Sequence, residues 1–154
     1  MTIVFVTGLS GVGKSYTLER LEEQGYKVVD TDYGYVTNNG NGDTEETVLD
    51  EEKITKLLNE NGQTLLFIAG CYSNQSKFYK HFDYVVLLTA EQDVMIKRID
   101  ERTTNYYGKR PEEKEEVIDS FNHVLPLLKN SSDLIIDTTN MDVDVICERL
   151  KSLL

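Results

Sequence analysis

The sequence predicts a three-layer α/β sandwich built on a five-stranded parallel sheet. Two observations carry that expectation. Five short β-rich runs, over residues 2–7, 27–30, 64–69, 84–88 and 134–137, alternate with stretches of helical spacing. The runs are also nearly continuous in apolar residues, as strands covered on both faces read, where a half-exposed strand would alternate. Strand–helix alternation of this kind implies right-handed crossovers, with helices on both faces of the sheet.

Each helical stretch has its own signal. Leu18 and Leu21 mark the first, which Gly25 closes, and Ile54, Leu57 and Leu58 mark the second, which Gly62 closes. Thr89 and Gln92 have the spacing of a capping box for a helix through Arg102. Pro111 suits a first helical turn and is followed by Val117, Phe121, Val124, Leu125 and Leu128 on one stripe, with Pro126 expected to bend the helix near its end. Val143, Ile146, Leu150 and Leu153 give the last helix its buried face. Two stretches fit no core element. Residues 33–47 contain Asn-Asn-Gly-Asn-Gly-Asp and read as a mobile loop, and the polar segment 103–110 separates two helices.

Composition narrows the function classes. The 154 residues are expected to form a single domain over 1–154, with no internal repeat or linker. Hydrophobic and charged fractions of 40% and 28% describe a chain able to form a core, not a disordered one. Sixteen Lys and Arg against 27 Asp and Glu leave a net charge of −11, which repels phosphate backbones and argues against a nucleic-acid partner. The apolar runs are far shorter than the roughly 20 residues a bilayer requires, and no basic region precedes the first of them, so neither a membrane partner nor a leader is expected. Cys71 and Cys147 are too few for a disulfide framework, and His81 and His123 have no metal-ligand spacing. A cytoplasmic setting and a monomer or homodimer are the expectations.

Residues 8–15 read Gly8-Leu9-Ser10-Gly11-Val12-Gly13-Lys14-Ser15, a G-x-x-x-x-G-K-S pattern directly after a strand and directly before a helix. That context makes it a phosphate-binding loop. Glycines let the backbone curl so that N–H groups of Gly8, Ser10, Gly11, Val12, Gly13, Lys14, Ser15 and Tyr16 are available to phosphate oxygens, helped by the positive end of the following helix. Lys14 is placed for the terminal phosphates and the Ser15 hydroxyl for Mg²⁺. ATP and Mg²⁺ are therefore the expected cofactors. GTPase signatures are absent from the sequence, and ring-forming ATPases are set aside because they need a second helical domain.

Asp30 and Asp32 straddle one residue at the end of the second strand, so both can point one way, at the sheet edge where ligands bind. The third strand runs into Gly70 and Cys71 with no acid at its end, which strengthens the case for Asp30 and Asp32 as functional carboxylates over a solvated Asp-rich turn. Gly70 is expected to let an acceptor approach the backbone, with Cys71, Tyr72, Ser73 and Asn74 lining its pocket. Arg98 and Arg102 lie four apart on one helix face, a like-charge spacing that is unfavourable unless an anion lies between them or a carboxylate such as Glu101 neutralises one.

Over essentially its whole length the chain resembles the P-loop small-molecule kinases of the nucleoside-monophosphate-kinase and shikimate-kinase type. Four features carry the resemblance: loop 8–15, Asp30-Thr31-Asp32, the strand running into Gly70, and Arg98…Arg102…Gly108-Lys109-Arg110. It implies the P-loop NTPase sandwich with sheet order 2-3-1-4-5. It also implies Asp30 nearer a Mg²⁺ through water and Asp32 nearer the acceptor hydroxyl. One of Arg98 and Arg102 would stack on adenine and the other would reach the transferring phosphoryl group. Residues 103–110 would form a short lid with Lys109 and Arg110 at its tip, 31–50 the acceptor-side loop, and Asp137, Thr138 and Thr139 the adenine loop. Lys14, Asp32, Arg102 and Arg110 are the expected catalytic residues. Lys109 and Thr138 join Arg98 and the loop in holding nucleotide.

The expected reaction is γ-phosphoryl transfer from ATP to a small-molecule hydroxyl. The alternatives are a nucleoside monophosphate kinase and a regulatory nucleotide-binding ATPase without an acceptor. Anionic acceptors are best held by arginine forks. No arginine occurs between Arg20 and Arg98, and residues 30–52 hold Asp30, Asp32, Asp43, Glu45, Glu46, Asp50, Glu51 and Glu52 without one Lys or Arg. The acceptor is therefore expected to be neutral or cationic: a nucleoside, polyol or amino sugar.

Overall fold

The computed structural model describes residues 2–38, 46–60, 65–103 and 105–154. Expectations placed on Asp43, Glu45, Gly62 and Thr64, and on Thr104 in the lid, lie outside these residues. The chain runs β1 (Ile3–Thr7), α1 (Lys14–Glu23), β2 (Lys27–Asp30), β3 (Val36–Asn38), β4 (Thr47–Leu49), α2 (Glu51–Glu60), β5 (Leu66–Ala69), a 3₁₀ helix (Gln75–His81), β6 (Tyr84–Thr89), α3 (Gln92–Glu101), α4 (Pro111–His123), α5 (Leu125–Ser131), β7 (Leu134–Asp137) and α6 (Val143–Lys151).

Five parallel strands form one sheet in the order β2-β5-β1-β6-β7, which is 2-3-1-4-5 when only the strands of this sheet are numbered. The continuous apolar runs follow from this order. β1, β5 and most of β6 lie inside and are buried, whereas β2 and β7 are edge strands and are only partly covered. Alternate residues feed two cores. Val4 and Val6 pack with Leu18, Leu21, Met95, Ile99, Val117, Ile146 and Leu150 from α1, α3, α4 and α6. Ile3 and Phe5 pack with Leu49, Ile54, Leu58 and Phe78 from β4, α2 and the 3₁₀ helix. Truncating such a buried Leu or Ile to Ala costs about 2–5 kcal/mol.

Two aspartates lock the registers of β6 on β1 and of β7 on β6. Asp83 accepts from the Ile3 amide at 2.7 Å while its own amide donates to the Ile3 carbonyl at 2.9 Å, and Asp133 repeats the pattern on Val85 at 2.7 and 2.8 Å. Each side chain thus extends the ladder by one rung before its strand begins. A one-residue slip would forfeit both bonds and turn the apolar residues to the wrong face.

Three local readings differ from expectation. Residues 33–47, read as a loop, contain β3, which pairs antiparallel with β4 from Val36 opposite Leu49 to Asn38 opposite Thr47. Burial of Val48 and Leu49 anchors this hairpin, and the Asn74 side chain bridges the Leu49 amide and carbonyl at 3.0 Å each. The capping box at Thr89 is not formed: Thr89 ends β6, Glu91 is the N-cap of α3, and its amide donates to Thr139 Oγ1 at 2.9 Å. Pro126 does more than bend its helix. It sits in the first turn of α5, separated from α4 by a break at Val124, because proline tolerates a first turn and not a helix interior.

Gly70 also differs in role. A Cβ there would collide with Thr31 Oγ1, which is buried and donates to the Ala69 carbonyl at 2.7 Å. The missing side chain makes room for Thr31, whose amide also donates to the Ala69 carbonyl, so that the end of β2 is tied to β5. Gly70→Ala is therefore expected to destabilise the fold by about 1–3 kcal/mol through overpacking. Adding Thr31→Ala removes the clashing hydroxyl, so the double variant should lose less than the sum of the single losses in denaturant unfolding.

Candidate functional site

Loop 8–15 emerges from the C-terminal end of β1, the central strand, and turns straight into α1 at Lys14. Its apolar side chains hold it from below: Leu9 and Val12 are buried in the core. Gly11 adopts a φ of +85°, and a Cβ there would lie 2.7 Å from the Met95 carbonyl of α3, so only glycine lets the loop pack this closely.

Three side chains fix the loop from the side. Arg98 on α3 donates to the Gly11 carbonyl at 3.4 Å, to Thr138 Oγ1 at 3.0 Å and to the Thr138 carbonyl at 2.7 Å. The buried Thr138 hydroxyl lies 3.0 Å from the Val12 carbonyl and 2.9 Å from the Thr89 carbonyl, within donating distance of both. Lys14 donates through Nζ to the Gly8 carbonyl and to the Leu9 carbonyl, the latter at 2.9 Å. Burial holds the Lys14 ammonium below its ordinary pKa, against the pull of Cys71, Asp32 and Asp30.

The carboxylates take separate partners. Ser15 Oγ donates to Asp30 at 2.7 Å, and the other Asp30 oxygen receives the Asp32 amide at 3.1 Å. Asp32 instead accepts from the Tyr72 hydroxyl. Burial, then this bond, pushes the Tyr72 phenol above its ordinary range, so it remains a donor at neutral pH.

Two cavities open on this arrangement. One, of about 570 Å³, is lined by loop residues from Ser10 to Tyr16, by Arg98, Arg102 and Thr138, and by Met141, Asp142, Val143 and Ile146. The other, of about 860 Å³, lies against Cys71, Tyr72 and Ser73, the hairpin residues Glu46 and Thr47, and Glu116, Val117 and Ser120 of α4. Ser10, Lys14, Asp32, Tyr33 and Asn105 line both, so the cavities meet at Lys14 and Asp32.

Most of the expected residues are brought together: loop residues Ser10 to Ser15, Tyr16, Asp32, Arg98, Arg102 and Thr138 all line the first cavity, whereas the Gly8 carbonyl receives Lys14. Asp30 reaches the site through Ser15. Arg102 spends its guanidinium on the Asn105 and Tyr107 carbonyls, at 2.8 and 2.6 Å, and so ties residues 105–107 to the end of α3. Burial lowers its pKa, against the pull of Asp32.

Lys109 and Arg110 line neither cavity. Lys109 donates to the Asp100 carbonyl at 3.0 Å, and Arg110 is the N-cap of α4. Of the expected adenine loop only Thr138 faces the cavity. Asp137 accepts from the Thr139 amide at 2.9 Å, a bond that with the Thr139 hydroxyl holds its carboxyl below the usual range, and Asn74 is tied to β4.

The sequence reading missed two groups. Met141, Asp142, Val143 and Ile146 belong to a helix start that only the sheet order carries beside the loop, and Glu116, Val117 and Ser120 belong to a helix otherwise read as core. Thr17 had a legible signal, a hydroxyl on the apolar face of α1. It is buried, lines the first cavity, and its Oγ1 has no hydrogen-bond partner among the described residues.

Known proteins share this framework. A model of the AAA domain family matches residues 4–119. A nucleotide-binding protein of Thermosipho africanus is 28% identical over 158 residues, covering 99% of this chain and 54% of that protein. A nucleotide-binding protein of Haemophilus influenzae is 29% identical over 163 residues, covering 100% and 53%. The chain thus spans about half the length of these relatives, and the length argument that set aside the ring-forming ATPases loses its footing.

Among solved structures, shikimate kinase from Acinetobacter baumannii in complex with shikimate superposes with a TM-score of 0.67 at 14% identity, over 99% of this chain and 92% of that one. Shikimate kinase from Bacteroides thetaiotaomicron gives 0.63 at 15%, over 99% and 97%. These likenesses establish a fold, that of the P-loop kinases. Among the described residues no helix is long and apolar enough to cross a membrane. With its phosphate loop at the centre of a kinase-like sheet, the chain belongs to the AAA domain family of nucleotide-binding proteins.

Proposed function

We propose that the chain is a Mg²⁺- and ATP-dependent phosphotransferase acting on a hydroxyl of a small, neutral or cationic molecule. The observation that carries this reading is the meeting of two cavities at Lys14 and Asp32. A nucleotide switch needs only the first. A second cavity of about 860 Å³ opening onto the phosphate-loop lysine suits an acceptor.

The residues suit the groups assigned to them. Phosphate matches the curled loop amides and the Lys14 ammonium, and the unpartnered Thr17 hydroxyl offers a further polar contact. A hard cation matches the oxygen donors Ser15 and Asp30, which lie 2.7 Å apart. No cluster of three or more His, Cys, Asp or Glu is placed to hold a metal among the described residues, which suits Mg²⁺, an ion that keeps its waters and binds through one or two carboxylates and substrate phosphates. When bound, that ion neutralises charge on the phosphate oxygens.

Asp32 then orients the acceptor hydroxyl and takes its proton. The acceptor oxygen forms a bond to the γ-phosphorus, the bond from that phosphorus to the β–γ bridging oxygen breaks, and ADP leaves with the electron pair. Among the described residues that line the second cavity Lys14 is the one Lys or Arg, an arrangement that disfavours a nucleoside monophosphate as acceptor. A regulatory nucleotide-binding ATPase is the second reading, favoured by the names of the relatives, and it entails ATP hydrolysis that no small molecule accelerates.

The decisive experiment is ATP consumption with product detection over a panel of nucleosides, polyols, amino sugars and monophosphates. Lys14→Ala is expected to abolish transfer with an unchanged circular-dichroism spectrum. Its Nζ anchors only loop carbonyls in the free protein, and full activity of the folded variant would refute the assignment. Asp32→Asn should lower kcat by about 10²–10⁴ while retaining ATP affinity. The two basic candidates separate by position: Arg102→Ala should lower kcat by about 10²–10³, and Arg110→Ala, at a residue lining neither cavity, by much less. The reverse order would assign charge stabilisation to a closed lid.

A further inference from the structure

The second cavity carries unbalanced charge of one sign. Asp32, Glu46 and Glu116 line it, and the side chain held by each is a neutral hydroxyl. Tyr72 donates to Asp32, Ser73 to Glu46, and Tyr107 to Glu116 at 2.7 Å. None of the three is in an ion pair among the described residues. Asp32 still feels the nearby charges of Lys14 and Arg102, which leaves Glu46 and Glu116 as the surplus.

The neighbouring cations are committed elsewhere. Lys114 pairs with Asp100 at 3.0 Å, and Lys109 donates to the Asp100 carbonyl. The residues outside the description include no Lys, Arg or His, and their charged side chains, Asp43 and Glu45, are acidic. The remaining wall is aromatic. Tyr33, Tyr72, Tyr106 and Tyr107 line the cavity, and Lys109 Nζ lies 5.4 Å from the Tyr106 ring centre, so this wall already draws a cation to one of its rings.

Carboxylates with spare lone pairs among electron-rich rings form a receptor for an ammonium group. We infer that the acceptor is an amino alcohol or amino sugar, whose ammonium is taken by Glu46 and Glu116 against the tyrosines while its hydroxyl faces Asp32. This rests on the phosphotransferase reading. The ammonium takes no part in the bond changes. It sets which hydroxyl compound enters, and a phosphorylated or carboxylated acceptor would meet the same two glutamates as a repulsion.

The test uses two pairs that differ in one charge, 2-aminoethanol and ethanediol, glucosamine and glucose, and a third that differs in several, kanamycin and its fully N-acetylated form. Calorimetry is run on protein loaded with Mg²⁺ and a non-hydrolysable ATP analogue, and phosphoryl transfer is followed with Mg²⁺ and ATP. At least one amine is expected to bind about 10- to 100-fold more tightly than its neutral partner, and Glu116→Gln and Glu46→Gln should each erase much of that ratio. Both glutamates are exposed, so the variants are expected to fold, and their melting temperatures check this. Amine binding with transfer supports both readings. Amine binding lost in the glutamine variants but without transfer keeps the ammonium site and overturns the phosphotransferase. Neutral or anionic hydroxyl compounds turned over as well as the amines keep the phosphotransferase and overturn the ammonium site. No binding by any pair overturns the inference.

Discussion

A phosphate loop must keep its amides free for a ligand, so it cannot be held by the backbone pairing that holds the rest of a sheet protein. Everything around loop 8–15 answers that constraint. Leu9 and Val12 anchor it through the core, Gly11 presses on the Met95 carbonyl, and its carbonyls are bound by Arg98, Thr138 and Lys14. The loop is thus fixed through its side chains and its acceptors. Arg98 and Thr138 also join it to the ends of β6 and β7.

The same economy of partners sets the chemistry at the junction of the cavities. Ser15 holds Asp30 and Tyr72 holds Asp32, so two carboxylates one residue apart are drawn to different tasks. Lys14 lies between them and the loop, partly desolvated, which strengthens its interaction with an arriving anion. Arg102 closes the arrangement by binding the Asn105 and Tyr107 carbonyls, and Asn105, Tyr106 and Tyr107 line the second cavity. A residue expected to act on phosphate is thereby also one that shapes the second cavity.

How much of this was legible in the sequence depended on the range of the interaction. Contiguous patterns read through: the five sheet strands, loop 8–15, the Ser15–Asp30–Asp32 group and the buried stripes of the helices all appear at the expected positions. The hairpin at Val36 and Thr47 did not, because strands of three residues give almost no periodic signal and these are held by burial of Val48 and Leu49 and by Asn74 from elsewhere in the chain. Gly70 looked like a ligand approach and proved to be room for Thr31, a contact between residues 39 positions apart in the chain.

The sequence by itself determined the local chemistry: where the phosphate loop lies, which carboxylates and arginines accompany it, and that residues 30–52 carry no cation. Such features depend on residues close together in the chain, where spacing alone fixes which way a side chain points. Tertiary structure alone decided what those residues face. It set Thr138 against the loop, removed Lys109 and Arg110 from both cavities, and brought Glu46 and Glu116, 70 positions apart, to one cavity with four tyrosines. The physical reason is that a cavity is a relation among surfaces that the sheet order brings together, and that order is set by how two cores pack across β1.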